Sequence, residues 1–317
     1  MNKSVAYLIC LMVLLFVAVT GCGPQDETRT FPNTRYVESY DGVRVVVPDH
    51  PKRILALSSA YDTILLGLIE PDRLVGINKL STYPEYSMEA ERATLVKPVM
   101  SSYPLEKIIA LNPDLVIAPD YTTVDVIEGL RHMGIPTVVV PTGTTVESVI
   151  KNVTDIAHIV GEDEKGQFYE QKIRRELEKM KRLGTSIPLN QRKSVLFVSS
   201  MDGYTGTGSL FDDMCKYMSI YNAPDLLGLP SRTPFGDERV LAMDPDYIFI
   251  PSYKEMDKSL SSRYLDNPAF QNLPAIRENR VKALPAAYLY TMNQHIGEAM
   301  LAIMHTVYPQ LERNSHD

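Results

Sequence analysis

One pattern of apolar and polar positions occurs twice in this chain. Glu106–Tyr121 reads EKIIALNPDLVIAPDY and Glu238–Tyr253 reads ERVLAMDPDYIFIPSY, with six identical positions out of sixteen. In each copy an amphipathic helical turn meets Asn/Asp-Pro-Asp, where the residue before the proline is pushed out of the helical region. The short apolar run that follows predicts a strand buried on both faces and ended by Pro119 or Pro251. The duplication predicts two similar α/β lobes.

The remaining pattern predicts strands and helices in alternation, joined by short links. The predicted strands span 53–57, 73–77, 137–140, 194–198, 247–250 and 281–284, and 35–37 pairs with 44–47 as a hairpin around Asp41-Gly42. The predicted helices include 63–68, 124–132, 207–219, 293–307 and a helix over 146–160 whose capping box is Thr144 with Glu147. This order predicts parallel sheets with right-handed crossovers.

A long helix is predicted between the two halves of the repeat. Residues 164–183 contain no proline and carry one apolar stripe, while the opposite face is charged. Twenty helical residues span about 30 Å, enough to cross from one lobe to the other, although a surface helix of one lobe is the alternative. We therefore predict two Rossmann-like α/β lobes, 37–145 and 185–317, joined through the helices of 146–184, with a ligand cleft between the lobes.

The amino terminus predicts an exported, lipid-anchored protein. Asn2-Lys3 followed by the apolar run Val5–Val19 is typical of a secretory signal peptide and is short for a membrane span. The sequence Val19-Thr-Gly-Cys22 resembles the bacterial lipobox, which implies cleavage before Cys22 and lipidation of that cysteine. This leaves 1–21 as signal peptide and 22–36 as a flexible tether. An uncleaved anchor helix with an incidental cysteine is the alternative.

Composition and motifs argue against several classes of function. The net charge of −7 over 317 residues gives no basic surface for nucleic acid. The cysteines Cys10, Cys22 and Cys215 form no disulfide framework, and Cys215 is expected in the core. Neither a nucleophile elbow, a phosphate loop nor a His-Glu-x-x-His motif occurs, and the six histidines are scattered. We therefore expect neither an enzyme nor a resident metal or cofactor.

Tyrosines and small polar residues gather at the ends of the predicted strands instead. Tyr61, Tyr121, Tyr204, Tyr253 and the pair Tyr288/Tyr290 follow buried strands, and Met100, Tyr103 and Phe235 lie in loops before the repeat helices. Ligands of open α/β sheets bind beyond the carboxyl ends of the strands, and clefts between domains are favoured sites. Each tyrosine alone fits a core or surface role. Their equivalent placement in two lobes favours a binding site.

The chain resembles the binding proteins of the iron-siderophore, haem and vitamin B12 importers, in which a single helix links two lobes. The matching segments are 51–57, 72–77, 105–117, 134–138 and 238–250. The resemblance implies a monomer that holds a metal chelate between its lobes and delivers it to an ABC permease with its ATPase. It also implies that one glutamate on each lobe, Glu106 and Glu238 here, docks to arginines of the permease. Both glutamates also suit the start of a helix.

The identity of the ligand stays open at this stage. The chain has no tryptophan, unlike the cobalamin-binding branch, and only Lys79, Arg232 and Lys254 lie near the predicted pocket loops as cations. We expect a lipid-anchored solute-binding protein for a ferric siderophore or haem, with a corrinoid as the second choice. The rival classes are an enzyme on a two-lobed scaffold and a lipoprotein that uses the cleft for protein contacts.

Overall fold

Strands and helices alternate along the computed structural model, which describes residues 33–199, 205–234, 236–253 and 256–313. The first elements are β1 (Thr34–Glu38), β2 (Arg44–Pro48), β3 (Ile54–Ala56), α1 (Ser59–Leu68), β4 (Ile77–Asn78), α2 (Ala90–Ala93), β5 (Val99–Met100), α3 (Leu105–Ala110), β6 (Leu115–Pro119), α4 (Val124–His132) and β7 (Thr137–Val140). Two long helices follow, α5 (Val146–Val160) and α6 (Asp163–Thr185). The last elements are β8 (Ser194–Phe197), α7 (Leu210–Tyr217), β9 (Tyr221–Asn222), α8 (Asp237–Met243), β10 (Tyr247–Ser252), α9 (Met256–Leu265), α10 (Pro274–Arg277), β11 (Val281–Pro285), α11 (Ala286–Leu289), α12 (Ile296–Val307) and α13 (Gln310–Arg313).

In the described residues the strands form four sheets, and the two larger ones, of three and four strands, are parallel. The N-terminal lobe, which we define by β1–β7, has the order β3-β6-β7, and the C-terminal lobe, defined by β8–β11, has the order β11-β10-β8-β9. The repeat strands β6 and β10 therefore hold equivalent places, β6 between β3 and β7 and β10 between β8 and β11. The predicted α/β class and the parallel pairing are confirmed. Strands β1 and β2 form the predicted antiparallel hairpin, and β4 pairs with β5.

Both repeat strands are buried on two faces, as their apolar runs predict. In β6, Leu115 and Ile117 belong to one core cluster, and Val116 and Ala118 to another on the opposite face of the sheet. Strand β10 divides in the same way, with Phe249 on one side and its neighbours Ile248 and Ile250 on the other. Cys215 is buried in the C-terminal core, as expected.

The Asn/Asp-Pro-Asp segments work alike in the two lobes. Asn112 and Asp244 stand in the left-handed region with φ of 48° and 44°, and Asn and Asp are the non-glycine residues that tolerate it best. The aspartate after the proline of each segment anchors a neighbouring strand, β3 or β8. Asp114 accepts the N–H groups of Lys52 and Arg53 at 2.7 and 2.9 Å, and Asp246 accepts that of Ser194 at 3.0 Å.

Two helices, and not one, contact both lobes. Helix α5 contributes Val146, Val149 and Ile150 to the C-terminal core and its second half to the N-terminal core. Helix α6 starts beside α1, where Lys165 and Tyr169 donate to the carbonyls of Leu68 and Gly67. It then packs its apolar stripe (Ile173, Leu177, Met180) into the C-terminal core. The boundaries 37–145, 146–184 and 185–317 stay a prediction.

The structure corrects four local predictions. The strand 73–77 is reduced to one bridge at Leu74, because a turn occupies 71–73 and β4 pairs elsewhere. The capping box of α5 is Thr145 with Ser148, one residue later than predicted. Pro251 does not end its strand, since β10 runs on to Ser252. Helix α1 starts at Ser59 and not at residue 63, so Tyr61 is helical. Cys22, Tyr204 and Phe235 lie outside the described residues.

Candidate functional site

Four half-buried tyrosines meet where the two lobes face each other. Tyr83 and Tyr86 come from the segment between β4 and α2, and Tyr253 and Tyr290 follow β10 and α11. Tyr253 receives the rings of Tyr83 and Tyr86 edge-on, each at 5.6 Å between centroids. Tyr86 also lies 6.4 Å from Tyr290 with the rings inclined by only 24°. We call these four residues the tyrosine cluster.

The carboxyl ends of the strands supply hydroxyls around this cluster. Ser199, two residues past β8, shares a 3.1 Å hydrogen bond with the Tyr290 hydroxyl. Tyr121, two residues past β6, is 69% exposed and offers an accessible phenol. Burial raises the pKa of Tyr86, and Tyr290 and Tyr121 add to the shift. Tyr86 is therefore a neutral hydrogen-bonding phenol near neutral pH, able to stack, donate and accept.

Polar contacts join the lobes beside the cluster. The Ala287 N–H donates to the Glu85 carbonyl at 2.8 Å, and the buried Gln294 amide donates to the Thr63 carbonyl at 2.8 Å. His295 Nε2 lies 3.0 Å from Glu89 Oε1, across the same boundary. We call Glu89, Gln294 and His295 the inter-lobe latch. These contacts join the two walls of the cleft on one side.

A buried acid lies beneath the segment that carries Tyr83 and Tyr86. Asp62 of α1 is fully buried, and its Oδ2 accepts the Asn78 N–H at 2.8 Å and the Ser81 hydroxyl at 2.9 Å. Burial raises its pKa to about 7 although both hydrogen bonds act in the opposite direction. This acid is a structural part of the N-terminal wall.

The predicted site residues divide into three groups. Tyr253 belongs to the tyrosine cluster, and Tyr121 stands at the carboxyl end of the adjacent repeat strand. Tyr61 is in the core, because α1 begins early enough to turn it inward, where its hydroxyl donates to the Val140 carbonyl at 2.9 Å. Its proposed place in the cleft wall is a wrong prediction.

The other predicted residues pack within their lobes. Met100 is buried beneath the N-terminal sheet, where half-buried Tyr103 packs against the same cluster. Tyr288 is half-buried against the C-terminal core. The structure does not bring these three into the tyrosine cluster. Glu106 and Glu238 are exposed in the first turns of α3 and α8, where a carboxylate complements the helix dipole.

A wide cavity on the C-terminal lobe is a weaker candidate. Its volume is 840 Å³, and Arg174, Lys216 and Asp213 are among its lining residues. Much of this charge is already paired, Arg174 with Glu147 at 3.2 Å and Lys216 with Asp213 at 3.5 Å. It lies on α6 and α7, away from the carboxyl ends where the tyrosines gather. We therefore place the site at the tyrosine cluster.

A family model described as periplasmic binding protein matches residues 54–288, and so spans both sheets. The chain belongs to the periplasmic binding protein family. Members of this family bind solutes. In the described part of the chain no group of three or more His, Cys, Asp or Glu side chains is placed to hold a metal ion. Nor does any helix there have the length and apolar character needed to cross a membrane.

Several relatives of this periplasmic binding protein carry functional names. The ABC transporter substrate-binding lipoprotein YvrC of Bacillus subtilis is 23% identical over 323 residues, covering 97% of this chain and 98% of YvrC. The vitamin B12-binding protein of Vibrio parahaemolyticus is 23% identical and covers 75% of this chain and 82% of its own. The iron(3+)-hydroxamate-binding protein YxeB of Bacillus subtilis is 24% identical and covers 89% of both.

A solved structure shows the same fold. The periplasmic heme-binding protein RhuT from Roseiflexus sp. RS-1, in apo form, superposes with a TM-score of 0.71 at 22% identity. The match covers 82% of this chain and 99% of RhuT. The two-lobed α/β architecture expected from the repeat is thus the architecture of the family.

Sequence reasoning missed Tyr83, Tyr86 and the latch of this binding protein. The prediction selected tyrosines that directly follow a buried strand. Tyr83 and Tyr86 instead follow a turn after the two-residue strand β4. The Tyr83-Pro-Glu-Tyr86 motif was the available signal, because two aromatic residues around a proline in a connecting loop are unusual for solvated chain. Glu89, Gln294 and His295 left no local signal, since two hundred residues separate them along the chain.

Proposed function

We propose that this chain is the lipid-anchored solute-binding component of an ABC importer, and that it captures an iron complex, a ferric siderophore or haem. The observation that carries the proposal is the tyrosine cluster, in which two rings from each lobe meet across the boundary. A flat or bulky chelate held there would replace ring-to-ring contacts with contacts to its own apolar faces. Phenols add apolar area and keep a hydroxyl for the polar rim of the chelate.

The relatives support this choice of ligand class. One related protein is named for iron(3+)-hydroxamate and one for vitamin B12, and a protein of the same fold is named for heme. All three ligands are large metal chelates. A tyrosinate can also ligate ferric iron directly, as in some haem proteins, and Tyr121 is the exposed phenol at the cleft. A corrinoid is the second candidate because of the vitamin B12-binding relative.

The proposed partners follow from the same family. A solute-binding protein works outside the cytoplasm and hands its ligand to a permease with its ATPase. Exposed Glu106 and Glu238, one on each lobe, are the proposed contacts to permease arginines. We propose that the protein acts as a monomer and carries no resident cofactor.

Ligand binding can be measured from the protein's own tyrosine fluorescence, because the chain has no tryptophan. Ferrioxamine B, ferrichrome, haemin and cyanocobalamin would each be titrated, with free tyrosine as the control for absorption by the ligand. We expect saturable quenching by one iron complex, weakened at least tenfold in Tyr253→Ala and Tyr86→Ala. Tyr40→Ala, which removes a tyrosine that is 63% exposed on the hairpin, is the matched control and should bind normally.

Each other outcome of this titration has a definite meaning. Saturation by cyanocobalamin alone would select the corrinoid. The absence of a saturable response to all four chelates would refute the ligand class. Unchanged affinity in both alanine variants would move the site away from the tyrosine cluster.

The anchor is tested separately at Cys22. A Cys22→Ser variant should lose lipidation and be released from the membrane or remain unprocessed. If it fractionates and migrates like the wild type, the protein is not anchored through this cysteine.

A further inference from the structure

Asp62 is a buried acid that the proposed function does not yet use. Its Oδ2 has two donors, the Asn78 N–H and the Ser81 hydroxyl, whereas its Oδ1 has no hydrogen-bond partner among the described residues. Buried polar atoms are nearly always paired, so an orphan oxygen on a fully buried carboxyl needs an explanation.

The groups bound to Asp62 belong to the segment that builds the N-terminal wall of the cleft. Asn78 and Ser81 bracket the turn Lys79–Thr82, which leads directly to Tyr83. The next residue of α1, Thr63, shares a 3.0 Å hydrogen bond with Ser87 at the far end. Two adjacent residues of α1 therefore clamp both ends of 78–87. Tyr83 and Tyr86 stand between the two clamps.

A second orphan group lies beside the first. Among the described residues, the buried Tyr103 hydroxyl has no partner at full hydrogen-bonding geometry, although the Asn78 side chain lies near it. Burial raises the pKa of Tyr103, and the nearby charge of Asp62 adds to the shift, while the Asn78 side chain opposes it. Tyr103 and Asp62 are thus electrostatic neighbours. A proton on Asp62 would remove the charge that acts on Tyr103.

No cation of the described residues contributes to the pKa of Asp62. The titratable groups of the surrounding elements include Lys79, Tyr83, Glu85 and Tyr86 on the segment, Glu89 and Arg92 at α2, and Tyr103 ahead of α3. None of them contributes to the raised pKa of Asp62, which comes from burial against the hydrogen bonds of Asn78 and Ser81. An ionised carboxylate here would keep one unsolvated oxygen, which is costly in an apolar interior. Opening the segment 78–87 to water would solvate that oxygen.

We propose that Asp62 is a positioning residue of the cleft: as an un-ionised acid it holds the 78–87 segment closed against the C-terminal lobe, and its ionisation loosens that segment, and with it Tyr83 and Tyr86. The proposal rests on the proposed function only in placing the ligand at the tyrosine cluster. It predicts that the segment 78–87 opens less readily in mildly acidic than in alkaline medium.

The sign of the effect on stability follows from linkage. The pKa of Asp62 is raised from 3.8 to about 7 on folding, so between these values the folded state binds more protons than the unfolded one. Stability from this group is therefore lost as the pH rises from about 4 to 7 and changes little above that. Asp62→Asn, which cannot ionise, should gain stability relative to the wild type across the same window.

Hydrogen–deuterium exchange of the segment 78–87 tests the proposal without any ligand. The mature chain would be measured from pH 5.5 to 8.5, with rates corrected for intrinsic exchange. In the wild type we expect the corrected rate to rise at least threefold across this range, and in Asp62→Asn to stay flat at the low value. Asp62→Ala should exchange fast at every pH.

Asp212→Asn is the matched control. Asp212 is the buried acid on the first helix of the other lobe, and it has Lys216 as an ion partner at 3.5 Å. This variant should leave the exchange profile of 78–87 as in the wild type. Identical corrected profiles for wild type and Asp62→Asn would overturn the proposal. That comparison stands even if Asp62→Ala does not fold, and its failure would leave the ligand titration untouched.

Discussion

The two lobes share one topology but treat an equivalent buried acid differently. Asp62 and Asp212 each lie in the first helix of their lobe, shortly after an N-cap serine, Ser58 or Ser209. Asp212 has a donor on each oxygen, Asn222 at 3.2 Å and Gly208 at 3.1 Å, besides its lysine. Among the described residues, Asp62 has donors on one oxygen only and no ion-pair partner. The comparison teaches that both lobes bury an acid near the start of the first helix, while its neighbours decide whether both of its oxygens are paired.

The aspartates after the proline in the two repeat copies show the opposite case, because both make the same kind of structural contact. Asp114 and Asp246 occupy identical positions in the repeat, and both receive backbone N–H groups at the start of a neighbouring strand, β3 or β8. The requirement is the same in each lobe, because the central strand must be held beside its neighbour. The two lobes therefore share the contacts that hold their sheets together, whereas the contacts around the cleft differ between them.

The largest expected effect concerns the outer surfaces of the two lobes. If the proposed docking is right, changing both Glu106 and Glu238 to Lys should reduce uptake to background, because like charges would then meet at the contact with the permease. Ligand affinity should stay within about twofold, since both side chains are exposed. Transport in whole cells and fluorescence titration measure the two quantities. Glu164→Lys, an exposed change on α6, is the charge-matched control for each single variant.

The single variants sharpen this comparison of the lobes. If docking is two-sided, Glu106→Lys and Glu238→Lys should each weaken uptake in part. A complete loss from one single variant with none from the other would show that only one lobe docks. Lost ligand affinity in the double variant would instead place these glutamates at the ligand.

The strand anchors should give the next largest effect. Asp246→Ala removes an acceptor for Ser194 and the partner of Lys193 at 2.9 Å, and we expect it to lower the free energy of unfolding by about 2–3 kcal/mol. Asp114→Ala, which removes the acceptor of two N–H groups without a buried cation, should cost about 1–2 kcal/mol. Urea denaturation at pH 7 measures both. Equal costs would mean that the Lys193 pair adds nothing.

The structure was predictable where it depends on residues that are close together along the chain. The repeat strands were predictable, because a buried central strand must be apolar at every position and the following Pro and Tyr mark its end. Part of the candidate site was predicted, since Tyr253 closely follows a buried strand. Tyr61 satisfied the same rule and failed, because two residues decide whether a tyrosine lies in the loop or enters the helix. Contacts such as His295 with Glu89 depend on tertiary approach, which no local pattern encodes.

The inter-lobe latch should give a moderate effect. Gln294→Ala removes the side-chain donor to the Thr63 carbonyl and should cost about 0.5–1.5 kcal/mol in unfolding free energy. Because α5 and α6 still join the lobes, the radius of gyration should change by less than about 1 Å in small-angle scattering. Glu178→Gln, an exposed change on α6, is the control and should be neutral. An increase of several ångströms would show that the latch, and not the helices, sets the lobe separation.

The smallest effect separates the two residues that end the repeat helices. Asn112 and Asp244 share the left-handed conformation, with φ of 48° and 44°, but only Asp244 places a carboxylate at a helix C-terminus, where the dipole is negative. Asp244→Asn should therefore raise the unfolding free energy by about 0.3–0.5 kcal/mol, and the reciprocal Asn112→Asp should lower it by a similar amount. Both changes should shrink in 1 M salt, which screens the helix dipole. If the two variants shift stability in the same direction, the lobes differ here through local packing and not through charge. If neither shifts it, the repeat tolerates either residue because the left-handed turn alone is what the Pro-Asp segment requires.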